Sequence, residues 1–199
     1  MSKKYQSIRL FKNPVLEALS HVHPIVPLVL WTPIIFGLLY YSIAYLDLGW
    51  TEIVGFGVIG LIIWTLTEYL LHRYIFHFVA KSKTMKRFVF LFHGLHHDDP
   101  NDPTRLVMPP GPALLIATIL YWLFRIVIPF EYSLPFMAFF LIGYLCYDYI
   151  HFATHHHKMN SKVGQLLKKW HLKHHYQHDN SKYGVSSPLW DYVFGTKGD

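Results

Sequence analysis

Cysteine is nearly absent from this chain: Cys146 stands alone among 199 residues. One thiol excludes an internal disulfide framework and any multi-cysteine zinc or iron–sulfur site. Charge is scarce as well. Asp, Glu, Lys and Arg make up 15% of the residues while hydrophobic residues reach 52%, against roughly 25% charged in an ordinary soluble domain. The residues before Ile25 show neither an apolar h-region nor a small-residue cleavage site, so no cleavable signal peptide is expected. No solenoid-type repeat occurs. A net charge of +6 would suit nucleic acid, but the basic residues are spread along loops that flank apolar runs, and no nucleic-acid partner is expected. The length fits a single domain, 1–199.

What fills the chain instead is apolar sequence in blocks of bilayer length. Residues 25–46 carry no charge. At about 1.5 Å of rise per residue they would cross a hydrocarbon core of about 30 Å. Pro27 and Pro33 would bend such a helix without breaking it. Further runs follow at 53–71, 108–130 and 134–149, with short turns at 47–52 and 129–133. The expectation is an all-α integral membrane fold of four transmembrane helices in two hairpins. Lys plus Arg number 4 in residues 1–24, 6 in 72–109 and 7 in 152–199, with none in the two turns. The positive-inside rule therefore puts both termini, and a helical cap formed by 72–107 and 150–199, on the cytoplasmic side. That membrane would be the endoplasmic reticulum in a eukaryote and the inner membrane in a bacterium. Arg125, late in the third run, is expected to snorkel outward.

Residues 1–24 form a basic N-terminal interfacial segment. Asn13 can cap a short helix with Pro14 at its first position. Ile8, Phe11, Val15 and Leu19 recur at spacings of three and four, which suits a helix lying in the membrane interface. His21 and His23 read as interfacial residues rather than ligands.

Ten of the fifteen histidines fall in four clusters. Two of these are H-x-x-H-H triplets: His93, His96 and His97, then His171, His174 and His175. The others are His72 with His77 and His151 with His155. Residues three and four apart share a helix face, so each triplet is expected to point one way and His151 to align with His155. His72 and His77, five apart, should diverge by about 140°. They would then reach two different metals, or the helix would end between them. Ten neutral imidazoles exceed the needs of one ion, so two metals follow. Imidazole suits iron, zinc, copper and nickel. A structural zinc site closes with four ligands, and the ferritin-like di-iron pattern needs Glu-x-x-His pairs that are absent here. Glu68 and Asp148 lie one helical turn before His72 and His151. They are expected to accept the second N–H of ligating histidines. His156, on another face of its helix, and His178, seven after His171, are weaker ligand candidates. A protein that merely binds or transports metal would place polar ligands along its spans, and these spans are nearly uncharged.

From about residue 60 to 196 the chain closely resembles the sterol desaturase/fatty acid hydroxylase superfamily of membrane oxygenases. The likeness runs through Glu68-Tyr-Leu-Leu-His72-Arg-Tyr-Ile-Phe-His77, His93-Gly-Leu-His96-His97 and Asp148-Tyr-Ile-His151-Phe-Ala-Thr-His155-His156. It continues through His171-Leu-Lys-His174-His175 and the terminal block Gly184–Thr196. The stretch His97–Pro110 is similar to the fatty acid 2-hydroxylase branch, which acts on acyl chains of sphingolipids. The resemblance implies that all ten clustered histidines hold two iron ions, with zinc as a stand-in on isolation and O₂ as co-substrate. It implies hydroxylation at C2 of a lipid acyl chain. Members in eukaryotes often carry a fused cytochrome b5 domain. None is visible here, so a separate donor is expected, either cytochrome b5 or ferredoxin with a reductase. A desaturase or a sterol oxidase of the same architecture is the alternative.

Overall fold

The computed structural model describes residues 6–177 and 180–198. It is helical throughout, with no strand among the described residues. Helix α1 (Pro14–Leu19) begins where Asn13 accepts from the N–H groups of Val15 and Leu16, with Pro14 leading. It is shorter than the spacing of Ile8, Phe11, Val15 and Leu19 suggests. Ile8 and Phe11 precede it, because the N–H groups of Leu10 and Phe11 turn back onto the Glu17 carboxylate at 2.9 and 2.8 Å.

Helices α2 (Val26–Ala44) and α3 (Trp50–Leu70) follow, and α2 runs through Pro33 unbroken. The cap then opens with a π-helical turn (Leu71–Phe76), α4 (Lys83–Val89), a second π turn (Phe90–Gly94) and α5 (Leu95–Asp98). Helix α6 (Pro110–Arg125) and α7 (Phe130–His156) form the second hairpin, and α8 (Lys162–Tyr176) and α9 (Leu189–Val193) close the chain. Among the described residues, three helical stretches are long and apolar enough to cross a membrane: Val26–Ala44, Trp50–Phe76 and Phe130–His156. The third apolar run forms a helix of 16 residues, about 24 Å long at the α-helical rise. Arg125 ends it by donating to the carbonyl of Ile128.

Helix α7 is the hub. It packs against α2, α3, α6 and α8 and buries Phe136, Phe140, Leu141 and Tyr144 against Trp31, Trp64 and Ala113. Small residues let the helices close up, as they do where lipid gives no hydrophobic drive between them. A Cβ on Gly60 of α3 would lie 2.2 Å from the Phe136 carbonyl oxygen of α7. Because α7 continues past the apolar run without a break, His151 and His155 ride on the same rigid rod as the core. One helix thus fixes the position of these two histidines relative to the apolar core.

Candidate metal centre

All ten clustered histidines converge, in two sets of five. The first set is His72, His77, His93, His97 and His174, and the second is His96, His151, His155, His171 and His175. Within each set, one ring nitrogen per residue lies within 4.8 Å of all the others. The sets adjoin, with the rings of His97 and His175 stacked at 4.1 Å.

The partition differs from what helix faces suggest. His72 and His77 meet in one set rather than diverging. The chain between them is wound as a π turn, closed by the His77 N–H on the His72 carbonyl at 3.1 Å. An i→i+5 turn brings residues five apart nearly one above the other, where a regular α-helix would not. The H-x-x-H-H triplets, conversely, are split. His93 and His97 join the first set while His96 turns to the second; His171 and His175 join the second while His174 turns to the first. Adjacent residues on a helix point about 100° apart, so each His-His dipeptide straddles the two sets. Each segment lends one histidine to the other's cluster.

The donor chemistry fits a cation in each set. Nε2 atoms face each other in pairs: His72 and His97 on His93 at 3.0 Å, His174 on His77 at 3.0 Å. In the second set His151 meets His96 at 2.8 Å, and His155 and His175 meet His171 at 2.9 and 3.0 Å. The Nε2 atom of His93 cannot satisfy two like neighbours with one proton, and converging lone pairs around a metal resolve the conflict. Burial first, and the neighbouring rings second, hold His93, His96 and His171 well below the ordinary histidine range. His77 and His97 fall to about 3 for the same reasons. The rings are therefore neutral, which is the form that ligates.

Two of the three buried members of the first set have their other nitrogen secured by a main-chain carbonyl. His72 Nδ1 meets the oxygen of Tyr183, and His174 Nδ1 meets that of Ser181 at 2.7 Å. With Nδ1 donating, each tautomer leaves Nε2 free for metal. The carboxylates expected in this part lie elsewhere. Glu68 accepts from the N–H groups of Val185 and Ser186 at 2.7 and 2.8 Å and from the Ser186 hydroxyl. It steadies the loop that carries Tyr183 rather than a histidine, because that loop's N–H groups reach it first. Asp148 is buried among the residues that line a cavity, and its Oδ2 is in no well-formed hydrogen bond. His156 falls in neither set and packs on Phe152. His178 lies outside the described residues. His21 is engaged by Thr104 and Arg105 rather than lying free at an interface.

Sequence reasoning gave no role to Asp191, which is fully buried at the centre of the C-terminal loop. Its carboxylate accepts from the Tyr183 and Gly184 N–H groups at 2.9 Å, from the Trp170 indole at 3.1 Å and from the Thr196 hydroxyl at 2.8 Å. Gly184 must be glycine there, since a Cβ would sit 2.1 Å from the Ser187 carbonyl oxygen. A lone aspartate among aromatics was the available signal.

A cavity of 280 Å³ abuts the centre and is walled mostly by apolar side chains, with His93, His96 and His151 at its lining. A fatty acid hydroxylase family model matches residues 57–196. The chain belongs to that family. It is 39% identical over 177 residues to a ceramide very long chain fatty acid hydroxylase of Schizosaccharomyces pombe, covering 87% of this chain and 50% of that one. It is 34% identical over 216 residues to a rat fatty acid 2-hydroxylase, covering 95% and 56%. A dihydroceramide fatty acyl 2-hydroxylase of Arabidopsis thaliana is 37% identical over 171 residues, at 84% and 70% coverage. The chain thus spans about half the length of the first two relatives. The solved structure of full-length scs7p, in which only the hydroxylase domain is visible, superposes with a TM-score of 0.89 at 36% identity. It covers 96% of this chain and 72% of that one.

Proposed function

We propose that residues 1–199 form a single hydroxylase domain that adds oxygen at C2 of fatty acyl chains amide-linked in ceramide-type sphingolipids. The observation that carries this reading is the meeting of a ten-histidine centre with a largely apolar cavity. The activities for which the relatives are named support it. Two iron ions held by the two sets would supply activation of O₂ with two electrons per turnover, which zinc, having no redox chemistry, could not. All ten clustered histidines are their ligands in this reading.

The protein's own part is to bind, orient and exclude water. Leu106, Val107, Met108, Ala113, Ile116 and Phe140 give the acyl chain an apolar wall. On the α2 and α7 sides of the cavity, Trp31, Tyr144 and Asp148 place the buried polar atoms Nε1, Oη and Oδ2 beside one another, none of them in a well-formed hydrogen bond. An amide carries both a carbonyl to accept from the indole or phenol and an N–H to donate to the carboxylate. Binding it would satisfy groups that are otherwise costly to bury. It would also bring C2, bonded to that carbonyl, up to the histidine face.

In the membrane, α6 and the turn after it complete a fourth crossing, giving two hairpins with both termini and all the histidines on the cytoplasmic side. The host membrane is the endoplasmic reticulum or a bacterial inner membrane, and electrons arrive from cytochrome b5 or ferredoxin with its reductase. Lipid analysis tests the reading. Cells expressing the chain should gain ceramides with one added oxygen at C2, and cells expressing His174→Ala should not. A loss of two hydrogens, or oxidation of sterols alone, would instead make the protein a desaturase or a sterol oxidase.

A further inference from the structure

Arg105 is a buried cation, with a side chain only 3% exposed. Two of its three nitrogens are taken by the N-terminal segment. Nη2 lies 2.6 Å from Glu17 Oε1 and 2.9 Å from His21 Nε2, and Nε lies 3.1 Å from the Ser7 hydroxyl. Asp102 backs the group at 3.6 Å and is held by Ser7 and Thr104. Thr104 in turn meets His21 Nδ1 at 2.7 Å, and its carbonyl takes the Val22 N–H at 2.7 Å. The N-terminal strap is thereby stitched to the 102–107 loop.

The remaining nitrogen, Nη1, is buried without a partner, and Arg105 lines the cavity together with Leu10, Phe11 and Ser20 of that strap. A guanidinium in a fixed fork has no rotamer freedom to turn its last donor elsewhere. A buried charged donor left unmet is costly, and the cavity is where a ligand atom can meet it.

The geometry points to Arg105 Nη1 as a head-group anchor that donates to a neutral hydroxyl oxygen on the long-chain base of the lipid. This rests on the amide-linked substrate proposed above. The amide itself finds its partners at Trp31, Tyr144 and Asp148, which leaves the base hydroxyls as the lipid's remaining acceptors. The acceptor is neutral because Arg105 already faces two carboxylates. A phosphate or a free fatty acid carboxylate entering here would meet Glu17 and Asp102 as well as the cation. The strap therefore does more than line the cavity: it holds one unmet donor just behind the wall, where a small shift of the side chain reaches the lipid head, and screens that head by charge.

The test compares dihydroceramide with its 1-deoxy and 3-deoxy analogues, using metal-loaded protein in bilayers with its reductase system. In the wild type, one analogue should raise KM roughly ten- to hundredfold while kcat changes little, the range for a lost bond to a charged group. In Arg105→Lys, which keeps the charge but lacks the fork, that penalty should vanish. The analogue affected identifies which hydroxyl is bound. Equal KM for all three lipids in the wild type, or the same penalty in both proteins, would overturn the anchor while leaving C2 hydroxylation standing. Should the variant lose its metal, wild-type protein can be cross-linked to dihydroceramide bearing a diazirine on the long-chain base. Adducts are expected within residues 7–22 or 102–109, and adducts confined to other segments would overturn it. Absence of any 2-hydroxylated product would count against the substrate reading instead.

Discussion

Replacing Asp191 by Asn removes an acceptor where only donors converge. The Tyr183 N–H points at one oxygen, and the Gly184 N–H and Trp170 indole at the other. Either amide orientation sets an NH₂ against an N–H, and the loop that offers the Tyr183 and Ser181 carbonyls to His72 and His174 must shift. Metal affinity is expected to fall about 10–100-fold, the usual cost of disturbing the groups that orient metal-binding histidines. Glu68→Gln should be mild by contrast. One oxygen can still take both N–H groups, and the Ser186 hydroxyl can rotate to accept from the new NH₂. Metal per protein after dialysis against graded chelator checks both, and equal losses in the two variants would show that the loop does not orient the histidines.

The π turn over Leu71–Phe76 makes its own prediction. Deleting Ile75, a half-exposed residue within it, would let α3 continue as a regular helix while removing the register that brings His77 under His72. The protein should still insert into membranes and should bind less metal, as elemental analysis of the purified protein would reveal. Full metal content in the deletion would mean that the turn is incidental. This turn also marks the limit of what the sequence discloses. The apolar runs, the Asn13-Pro14 start of α1 and the ten converging histidines are legible, because composition, capping residues and histidine spacing speak directly to them. The pairing of His72 with His77 is not, since a π turn has no compositional mark and the α-helical period sends the two rings apart. The splitting of the triplets is likewise hidden, because faces are shared broadly while metal sites discriminate by about 100°. The hydrogen-bond partners of Arg105 lie 84–98 residues away in sequence, and local pattern cannot reach so far.

At the scale of the whole molecule, the cap is a cluster of neutral bases held in a low-dielectric interior. With burial as the main cause, His77 and His97 are lowered from 6.5 to about 3. Between those limits the unfolded chain binds protons that the folded one refuses. Stability of the metal-free protein is therefore complete above about pH 6.5 and is lost as the pH falls toward 3. Melting of the stripped protein should occur at clearly lower temperature at pH 5.5 than at pH 7.5, and an unchanged midpoint would contradict the neutral, buried state of these rings. The reciprocal loan of His96 and His174 carries a consequence for occupancy. An ion entering the first set immobilises α5 and α8 together, and with them His96, His171 and His175 of the second. The ordering entropy for those three ligands is then already spent, and the second ion binds more tightly than the first. Native mass spectrometry at half-saturating metal should show empty and doubly loaded protein with few singly loaded molecules. Independent sites would make the single form the commonest. A population that is either fully loaded or empty contains few molecules with a half-filled centre.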